Sequence, residues 1–183
     1  MSTRQTTCRP IKDASPYAYG EILEAGVVDL IESMQLTEKD VFVNIGSGKG
    51  LLCKQIFSDS LAQKVIGIEP VLKRHNLASP MTTEGNDRSL YFVHGCALET
   101  VESWADATVL FMNNFAFPDE LTCSIFEIIH NQCKKARMII VAKPPEATEI
   151  RARYNVHGIE KRIRASWGST KAFQIWKPLS PVT

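Results

Sequence analysis

Residues 41–50 read VFVNIGSGKG, and this stretch decides the fold. Five residues of β-strand character lead directly into three glycines, Gly46, Gly48 and Gly50. Because glycine adopts backbone conformations that other residues avoid, the pattern predicts a tight turn from a strand into a helix whose first free amides face a ligand. A turn that only allows close helix packing is the alternative. The stretch lacks the serine or threonine that follows the lysine of a Walker phosphate loop, and its G-x-G-x-G spacing is not the dinucleotide fingerprint.

Strands and helices alternate on both sides of this stretch. The further β-rich runs are Lys64 to Glu69, Leu90 to His94, Thr108 to Met112 and Arg137 to Ala142. Helical segments are predicted over Gly20 to Leu36, from the glycines to about Ser60, over Val71 to Leu77 and over Asp119 to Lys135. Two closing runs, Ile159 to Trp167 and Ala172 to Trp176, predict an antiparallel hairpin. This order predicts a doubly wound α/β sheet with helices on both faces and a ligand site at the carboxyl ends of the strands.

The composition indicates one ordinary globular domain. The 183 residues are 44% apolar and 22% charged, and we expect a flexible lead-in over residues 1–16 and a single domain over residues 17–183. No apolar run approaches the length of a membrane span, and the first residues lack a secretory pattern, so a soluble protein is expected. The five cysteines include no C-x-x-C pair, which predicts reduced thiols in an intracellular protein without a structural metal.

Polar and aromatic side chains follow two of the predicted strands. Glu69 ends the second strand about twenty residues after Gly50, where an acid can accept hydrogen bonds from both hydroxyls of a ribose. Residues 113–117 read NNFAF and follow the fourth strand. An amide oxygen there could bind an amino group while the rings enclose its alkyl stem. An asparagine-rich turn with two core phenylalanines is the alternative.

Six motifs, taken in their order along the chain, resemble the disruptor of telomeric silencing family of non-SET histone lysine methyltransferases. They are YGE at 19–21, VFVNIGSGKG at 41–50, GIE at 67–69, NNFAF at 113–117, KP at 143–144 and SW at 166–167. The resemblance spans residues 17–176. It implies a seven-stranded, Rossmann-like domain that binds S-adenosylmethionine, with strand order 3-2-1-4-5-7-6. It also implies a nuclear protein lysine N-methyltransferase with a histone or nucleosome as its partner.

The resemblance assigns roles to individual residues. The implied cofactor-binding residues are Tyr19, Ile22, Asn44, Gly46, Ser47, Gly48, Gly50, Leu51, Glu69, Cys96 and Ala97. The implied catalytic residue is Asn114, at the junction of cofactor and target lysine, and the implied substrate channel consists of Phe115, Phe117 and Trp167. The family pattern has aspartate where this chain has Asn44 and Cys96. Asn44 can still bond a methionine ammonium without countering its charge, and Cys96 is a weak acceptor for an adenine amine.

Methyl transfer from a sulfonium requires little acid–base chemistry. The nucleophile must be a neutral amine aligned behind the methyl group, so positioning and desolvation provide most of the catalysis. An apolar channel serves this purpose because it lowers the pKa of a lysine. Two other functions stay open. One is an amino-group methyltransferase that acts on a flipped nucleobase. The other is a non-catalytic binding module with a methyltransferase fold, which the departures at Asn44 and Cys96 favour.

Charge is distributed unevenly along the chain. Residues 134–177 contain 11 Lys and Arg against 3 Asp and Glu, although the net charge of the whole chain is +1. This basic C-terminal region predicts a contact with nucleosomal DNA whose affinity falls steeply with salt. The alternative is structural. Arg162 and Arg164 would then be solvated charges on an edge strand, and Lys134, Lys135 and Arg137 would complement a helix C-terminus.

Overall fold

A computed structural model describes residues 20–158, 163–166, 168–169 and 174–178. Its helices are α1 (Glu24–Met34), α2 (Leu51–Asp59), α3 (Leu72–Ala78), α4 (Asp119–Gln132) and α5 (Thr148–Arg151). Its strands are β1 (Val41–Ile45), β2 (Lys64–Glu69), β3 (Thr83–Glu84), β4 (Ser89–His94), β5 (Val109–Met112), β6 (Met138–Val141), β7 (Tyr154–Gly158), β8 (Arg164–Ala165), β9 (Gly168–Ser169) and β10 (Gln174–Pro178). The proposed lead-in over residues 1–16 lies outside these ranges.

Eight of these strands form one sheet in the order β3-β4-β2-β1-β5-β6-β10-β7. The five central strands from β4 to β6 are parallel, and β10 runs antiparallel to both β6 and β7. This arrangement is the expected order 3-2-1-4-5-7-6 with the short antiparallel strand β3 added at one edge. The doubly wound fold class is therefore confirmed. The carboxyl ends of β1, β2, β4 and β5 meet at one edge of the sheet.

The central strand β1 is buried on both faces, and its side chains divide the core in two. All five of its residues are buried, as expected for an interior strand of a parallel sheet. Phe42 packs in the cluster that α1 and α2 cover, whereas Val43 packs in the cluster beneath α4. Because side chains alternate along a strand, Asn44 lies on the Phe42 face and so faces α2.

The closing antiparallel pair is present, but its first strand lies earlier in the chain than predicted. β10 pairs with β7 rather than with the run from Ile159 to Trp167. Tyr154 of β7 is held by ring contacts with Phe126 at 5.4 Å and with Trp176 at 5.8 Å between centroids. Of the predicted run, residues 159–162 and Trp167 lie outside the described residues.

The described part of that run packs near the first helix. Ile163 and Ala165 are buried against the first helix, and Ala165 forms a β-bridge with Ile22. The described part of this β-rich run therefore pairs with the segment before α1 instead of joining the main sheet.

A buried carboxylate joins the turn before β1 to the residues that directly precede β5 and β6. Asp40 accepts two hydrogen bonds from the Arg137 guanidinium, both at 2.9 Å, and one at 2.6 Å from the Thr108 hydroxyl. The backbone amide and hydroxyl of Thr37 donate to the same carboxylate at 2.8 and 2.9 Å. Arg137 also donates to the Met34 carbonyl at the end of α1. Burial raises the pKa of Asp40, but the hydrogen bonds from Arg137, Thr108 and Thr37 outweigh it and hold that pKa well below its usual range.

We expect Asp40→Ala to lower the free energy of unfolding by about 2 to 3 kcal/mol at pH 7, because it leaves several donors without their charged acceptor. A depressed pKa means that the ionised carboxylate stabilises the fold above its unfolded-state pKa, near 4, and that this contribution is lost as pH falls. The difference between wild type and variant should therefore shrink below about pH 4. Urea unfolding from pH 7 to pH 3 measures it.

The matched control is Asp106→Ala. This exposed carboxylate forms a surface ion pair with Lys64 at 3.4 Å, and its removal should cost less than about 1 kcal/mol. Equal losses for both variants at pH 7 would contradict the role given to Asp40.

Among the cysteines that the structure describes, one differs from expectation. Cys53, Cys123 and Cys133 have free thiols, whereas Cys96 is disulfide-bonded, so the prediction of reduced thiols is wrong for that residue. Among the described residues, no group of three or more His, Cys, Asp or Glu side chains is arranged to hold a metal ion. No helix in the described ranges has both the length and the apolar character needed to cross a membrane.

Candidate active site

The glycine-rich loop between β1 and α2 has the backbone that its glycines permit. Gly46 and Gly50 both have φ of +81°, a left-handed conformation in which a side chain would be strained. At Gly46 an added Cβ would also lie 3.0 Å from the ring of Phe117. The amides of Gly46 and Ser47 donate to the Ile68 carbonyl at 2.8 and 2.9 Å, which fastens the loop to the end of β2.

Glu69, at the end of β2, braces this loop. It is 3% exposed, and one of its carboxylate oxygens accepts the Gly48 amide at 2.8 Å. The other oxygen accepts the Val71 amide at 2.9 Å and lies 4.0 Å from the Arg74 guanidinium. A carboxylate has about four lone-pair sites, so two stay available beyond these backbone bonds. The acid lies where the sequence predicts a ribose acceptor, and it also holds the loop in shape.

A small cavity of about 30 Å³ lies between the loop, the segment before α1 and the end of β5. Its lining residues are Gly20, Glu21, Ile22, Asn44, Gly46, Ser47, Leu51, Leu52, Phe111 and Asn113. Three oxygen atoms of these residues are buried without a hydrogen-bond partner among the described residues: Asn44 Oδ1, Ser47 Oγ and Asn113 Oδ1. Buried polar atoms are rarely left unpaired in native proteins. Three of the residues that line the cavity therefore have a hydrogen-bonding oxygen that the described part of the protein leaves unused, which is suited to a ligand that carries hydrogen-bond donors.

The segment before α1 forms one wall of the cavity and is anchored from the other end of the chain. Glu21 donates its amide to the Ser166 hydroxyl at 3.0 Å and accepts the Ser166 amide at 2.8 Å. Leu23 donates its amide to the Arg164 carbonyl at 2.9 Å. A Lys49–Glu21 ion pair at 3.7 Å joins this wall to the glycine loop. Two of the sequence motifs, around Glu21 and Ser166, thus meet at the site although 145 residues separate them.

The two neighbouring asparagines after β5 have different environments. Asn114 is 0% exposed, and its amide nitrogen donates to the Lys143 carbonyl at 2.7 Å and to the Thr122 hydroxyl at 3.2 Å. Its amide oxygen accepts the Ala142 and Lys143 amides at 3.1 and 2.9 Å. A primary amide has two donors and two acceptor sites, and all four are used. No hydrogen-bonding site of Asn114 is left for a substrate amine, so the geometry disfavours the catalytic role implied for it.

Asn113 lines the cavity, and its unpaired oxygen is one of the three described above. It is not among the residues to which the sequence assigns a role. The available signal was its position as the first residue after β5, at the edge of the sheet where the other polar residues of the site lie.

The aromatic residues of the NNFAF motif lie on the two sides of the sheet. Phe115 packs against the cluster beneath α1 and α2, and Phe117 packs against the cluster beneath α4. Phe117 also covers Gly46. Both rings are partly exposed, so they belong neither to the deep core nor to the open surface.

The structure describes some, but not all, of the other residues that the sequence predicts for the site. Leu51 begins α2 and is half-exposed beside the cavity, and Ile22 lies in the cavity wall. Ala97 is buried, and its carbonyl accepts the Trp104 indole N–H at 3.1 Å. Tyr19 and Trp167 lie outside the described residues.

Solved methyltransferases share this fold. An RNA methyltransferase from Salinibacter ruber in complex with S-adenosyl-L-homocysteine matches with a TM-score of 0.62 and 15% identity, over 89% of this chain and 96% of that chain. A precorrin-6y C5,15-methyltransferase from Geobacter metallireducens matches with a TM-score of 0.60 and 14% identity, over 86% and 91%. A dimethyladenosine transferase from Plasmodium falciparum matches with a TM-score of 0.63 and 12% identity, over 86% and 62%. At these identities the likeness establishes the Rossmann-like methyltransferase fold.

The family is established by the sequence itself. Residues 1–171 match the family described as histone methylation protein DOT1. This match covers most of the chain and confirms the resemblance that the six motifs carry. The chain belongs to the DOT1 family of histone methylation proteins.

Proposed function

We propose that the protein transfers a methyl group from S-adenosylmethionine to a lysine side chain of a histone, with the nucleosome as its partner. The supporting observation is the set of three buried, unpartnered oxygens of Asn44, Ser47 and Asn113 around one cavity at the carboxyl edge of the sheet. Membership of a histone methylation family supports the histone as the substrate.

The residues around the cavity fit the cofactor in chemical type. S-adenosylmethionine carries an ammonium group at its methionine end and two hydroxyls on its ribose. The amide oxygens of Asn44 and Asn113 would accept hydrogen bonds from the ammonium, and the two remaining lone-pair sites of Glu69 would accept them from the ribose. Asn44 is neutral, so it would bind the ammonium less strongly than a carboxylate would.

Cofactor binding would require the site to open. The cavity of about 30 Å³ is too small for a whole S-adenosylmethionine molecule and holds no more than one end of it. The parts that would move are the wall at residues 20–22 and the ring of Phe117 over Gly46, because both border the glycine loop.

The chain's own groups would catalyse the transfer by positioning and desolvation. Bound S-adenosylmethionine supplies an electrophilic methyl group. The Asn113 oxygen would hold the incoming amine in line, and Phe115 and Phe117 would exclude water from its alkyl stem. Desolvation disfavours the ammonium form and lowers the lysine pKa, so the nucleophile is present as the neutral amine.

Nuclear localisation and a DNA contact belong to the same proposal. The protein would encounter a nucleosomal substrate in the nucleus. Several residues of the basic C-terminal region have exposed side chains: Lys134, Lys135, Arg151, Arg164 and Lys177. Such residues would bind DNA phosphates, and affinity for nucleosomes should then fall steeply as salt is raised.

A second candidate is a non-catalytic module that binds nucleosomes without turning over the cofactor. It is favoured by the two backbone bonds of Glu69 and by the small cavity. The experiment that tests the first candidate also distinguishes it from this one.

The test measures binding and transfer together. We expect calorimetry to detect S-adenosyl-L-homocysteine binding, and labelled S-adenosylmethionine to yield methylated histone in nucleosomes but not methylated DNA or RNA. Glu69→Gln should weaken S-adenosyl-L-homocysteine binding roughly tenfold, because hydrogen bonds to a charged acceptor contribute about 1.5 kcal/mol or more each. Asp106→Asn is the matched control, since that carboxylate lies exposed beside Lys64 at the start of β2.

Absence of binding by the wild-type protein at high micromolar ligand would favour the non-catalytic module. Methylated nucleic acid without methylated histone would contradict the substrate that we propose.

A further inference from the structure

The wall of the cavity at residues 20–22 is held by a short segment near the other end of the chain, residues 163–166, which we call the strap. The Glu21 amide donates to the Ser166 hydroxyl at 3.0 Å, and the Glu21 carbonyl accepts the Ser166 amide at 2.8 Å. The two segments also form a β-bridge. The wall therefore takes its position from residues that lie 145 positions further along the chain.

The strap is anchored in the core. Ile163 and Ala165 are 0% and 4% exposed, and both pack in the cluster beneath α1 and α2. The strand of the strap, β8, pairs with β9 in a two-stranded sheet that is separate from the eight-stranded one. The position of the strap is therefore set by its packing against the first helix rather than by the main sheet.

Gly26 of α1 allows the strap to approach this helix closely. A Cβ added at Gly26 would lie 2.5 Å from the Arg164 carbonyl oxygen and 3.0 Å from the Arg164 nitrogen. Both are backbone atoms, so the strap or the helix would have to shift. The same Arg164 carbonyl accepts the Leu23 amide at 2.9 Å, directly after the wall. A shift of the strap would therefore move the wall with it.

The wall borders the part of the site that we assign to the amino-acid end of the ligand. The cavity that it lines also contains Asn44 and Asn113, whose oxygens would accept the methionine ammonium. Glu69, which would hold the ribose, is not among the lining residues. A misplaced wall should therefore affect a ligand that carries the amino-acid end more than one that lacks it.

We propose that the strap positions the wall over the amino-acid end of the bound nucleoside, with Ser166 as the positioning residue for Glu21 and Gly26 as the residue that lets the strap approach. This inference rests on the proposed function, in which that nucleoside is the cofactor. Because the strap is anchored in the core, the wall opens and closes about it and keeps these hydrogen bonds in both states. Without them only a fraction of the molecules holds the wall in place, and the affinity falls by that fraction.

The experiment compares two nucleosides on the full-length chain by isothermal titration calorimetry. S-adenosyl-L-homocysteine carries the amino-acid end, and 5′-methylthioadenosine lacks it. Ser166→Ala removes the acceptor of the Glu21 amide and keeps the backbone bond. We expect it to weaken S-adenosyl-L-homocysteine binding about threefold, as the loss of one modest hydrogen bond predicts, and to leave 5′-methylthioadenosine binding unchanged. Ser166→Thr keeps the hydroxyl and should bind both nucleosides as the wild type does.

Gly26→Ala tests the close approach of the strap. Alanine is the better helix former, so the variant should stay folded, which thermal unfolding checks. Because it displaces more than one of the bonds between strap and wall, we expect S-adenosyl-L-homocysteine binding to weaken about tenfold and 5′-methylthioadenosine binding to change little. If this variant does not fold, the two Ser166 variants decide the question.

The matched control is Ser33→Ala in the last turn of α1. It removes a serine hydroxyl that donates to the Asp29 carbonyl at 2.8 Å within the same helix. Because that bond joins neither the strap nor the wall, both nucleosides should bind to this variant as they do to the wild type.

Three results would overturn the inference. They are equal weakening of both nucleosides by Ser166→Ala, unchanged or tighter binding of S-adenosyl-L-homocysteine by that variant, and failure of Ser166→Thr to retain the wild-type affinity. In each case the wild-type protein still binds S-adenosyl-L-homocysteine, so the proposed function stands. Failure of the wild-type protein to bind either nucleoside would instead overturn the proposed function, and this inference with it.

Discussion

Replacing Asn114 with alanine is expected to lower the free energy of unfolding by about 3 kcal/mol or more. The substitution leaves the Ala142 and Lys143 amides, the Lys143 carbonyl and the Thr122 hydroxyl without their partner. Each buried group left unsatisfied costs about 1 to 3 kcal/mol before relaxation or water entry reduces the total. The affected contacts join the end of β5 to the end of β6, so the whole carboxyl edge of the sheet should loosen. Urea or thermal unfolding measures the loss.

The neighbouring substitution Asn113→Ala is the control for stability. Asn113 Oδ1 has no partner within the described residues, so its removal forfeits no internal hydrogen bond to that oxygen. We expect a change of less than about 1 kcal/mol. If Asn114→Ala unfolded at the same denaturant concentration as wild type, the bracing role of Asn114 would be wrong and its implied catalytic role would regain weight.

The second large effect concerns activity. Asn113→Ala is expected to lower kcat for histone methylation about a hundredfold, because misplacement of a reacting group by about 1 Å can cost that much. The variant should stay folded and should still bind nucleosomes. Single-turnover methyl transfer with saturating nucleosome and cofactor measures the effect on the transfer step.

Two controls accompany that measurement. Asn86→Ala changes an exposed asparagine in the loop after β3 and should leave the rate unaltered. Calorimetry with S-adenosyl-L-homocysteine shows whether the loss arises partly from weaker cofactor binding, since the ammonium is the other group that Asn113 would contact. Full activity of Asn113→Ala would contradict the assignment of the amine-orienting role to this residue.

The two asparagines show where sequence reasoning reaches its limit. They are adjacent and chemically identical, and the NNFAF motif alone does not tell which one faces the ligand. What separates them is the position of residues 142–143, which lie about 28 positions further along the chain and whose backbone amides donate to Asn114. Local sequence carries no record of that contact.

Glu69 illustrates the same limit in a milder form. Its position at the end of β2 follows from the run of apolar residues before it, and this part of the prediction agrees with the structure. That both of its oxygens also hold backbone amides of Gly48 and Val71 depends on how the loop folds back over the strand. The strand is a local property, whereas the bracing is a tertiary one.

The closing strands show how tertiary packing overrides local propensity. The run from Ile159 to Trp167 has strong β character, yet its described part, Ile163 to Ser166, pairs with the segment before α1. The strand beside β10 is instead formed by residues 154–158, where Tyr154 finds the rings of Phe126 and Trp176.

The sequence by itself determined the boundaries of β1 and β2, the glycine turn and the order of the seven main strands through its family resemblance. It also indicated the edge of the sheet where we propose that the ligand binds. Buried parallel strands are short continuous apolar runs ended by turn residues, and this pattern is readable without a structure. Only the tertiary structure decided which asparagine lines the cavity and what Glu69 holds. Each of those outcomes depends on hydrogen-bond partners brought together from distant parts of the chain, and a buried polar group takes the partner that the fold supplies.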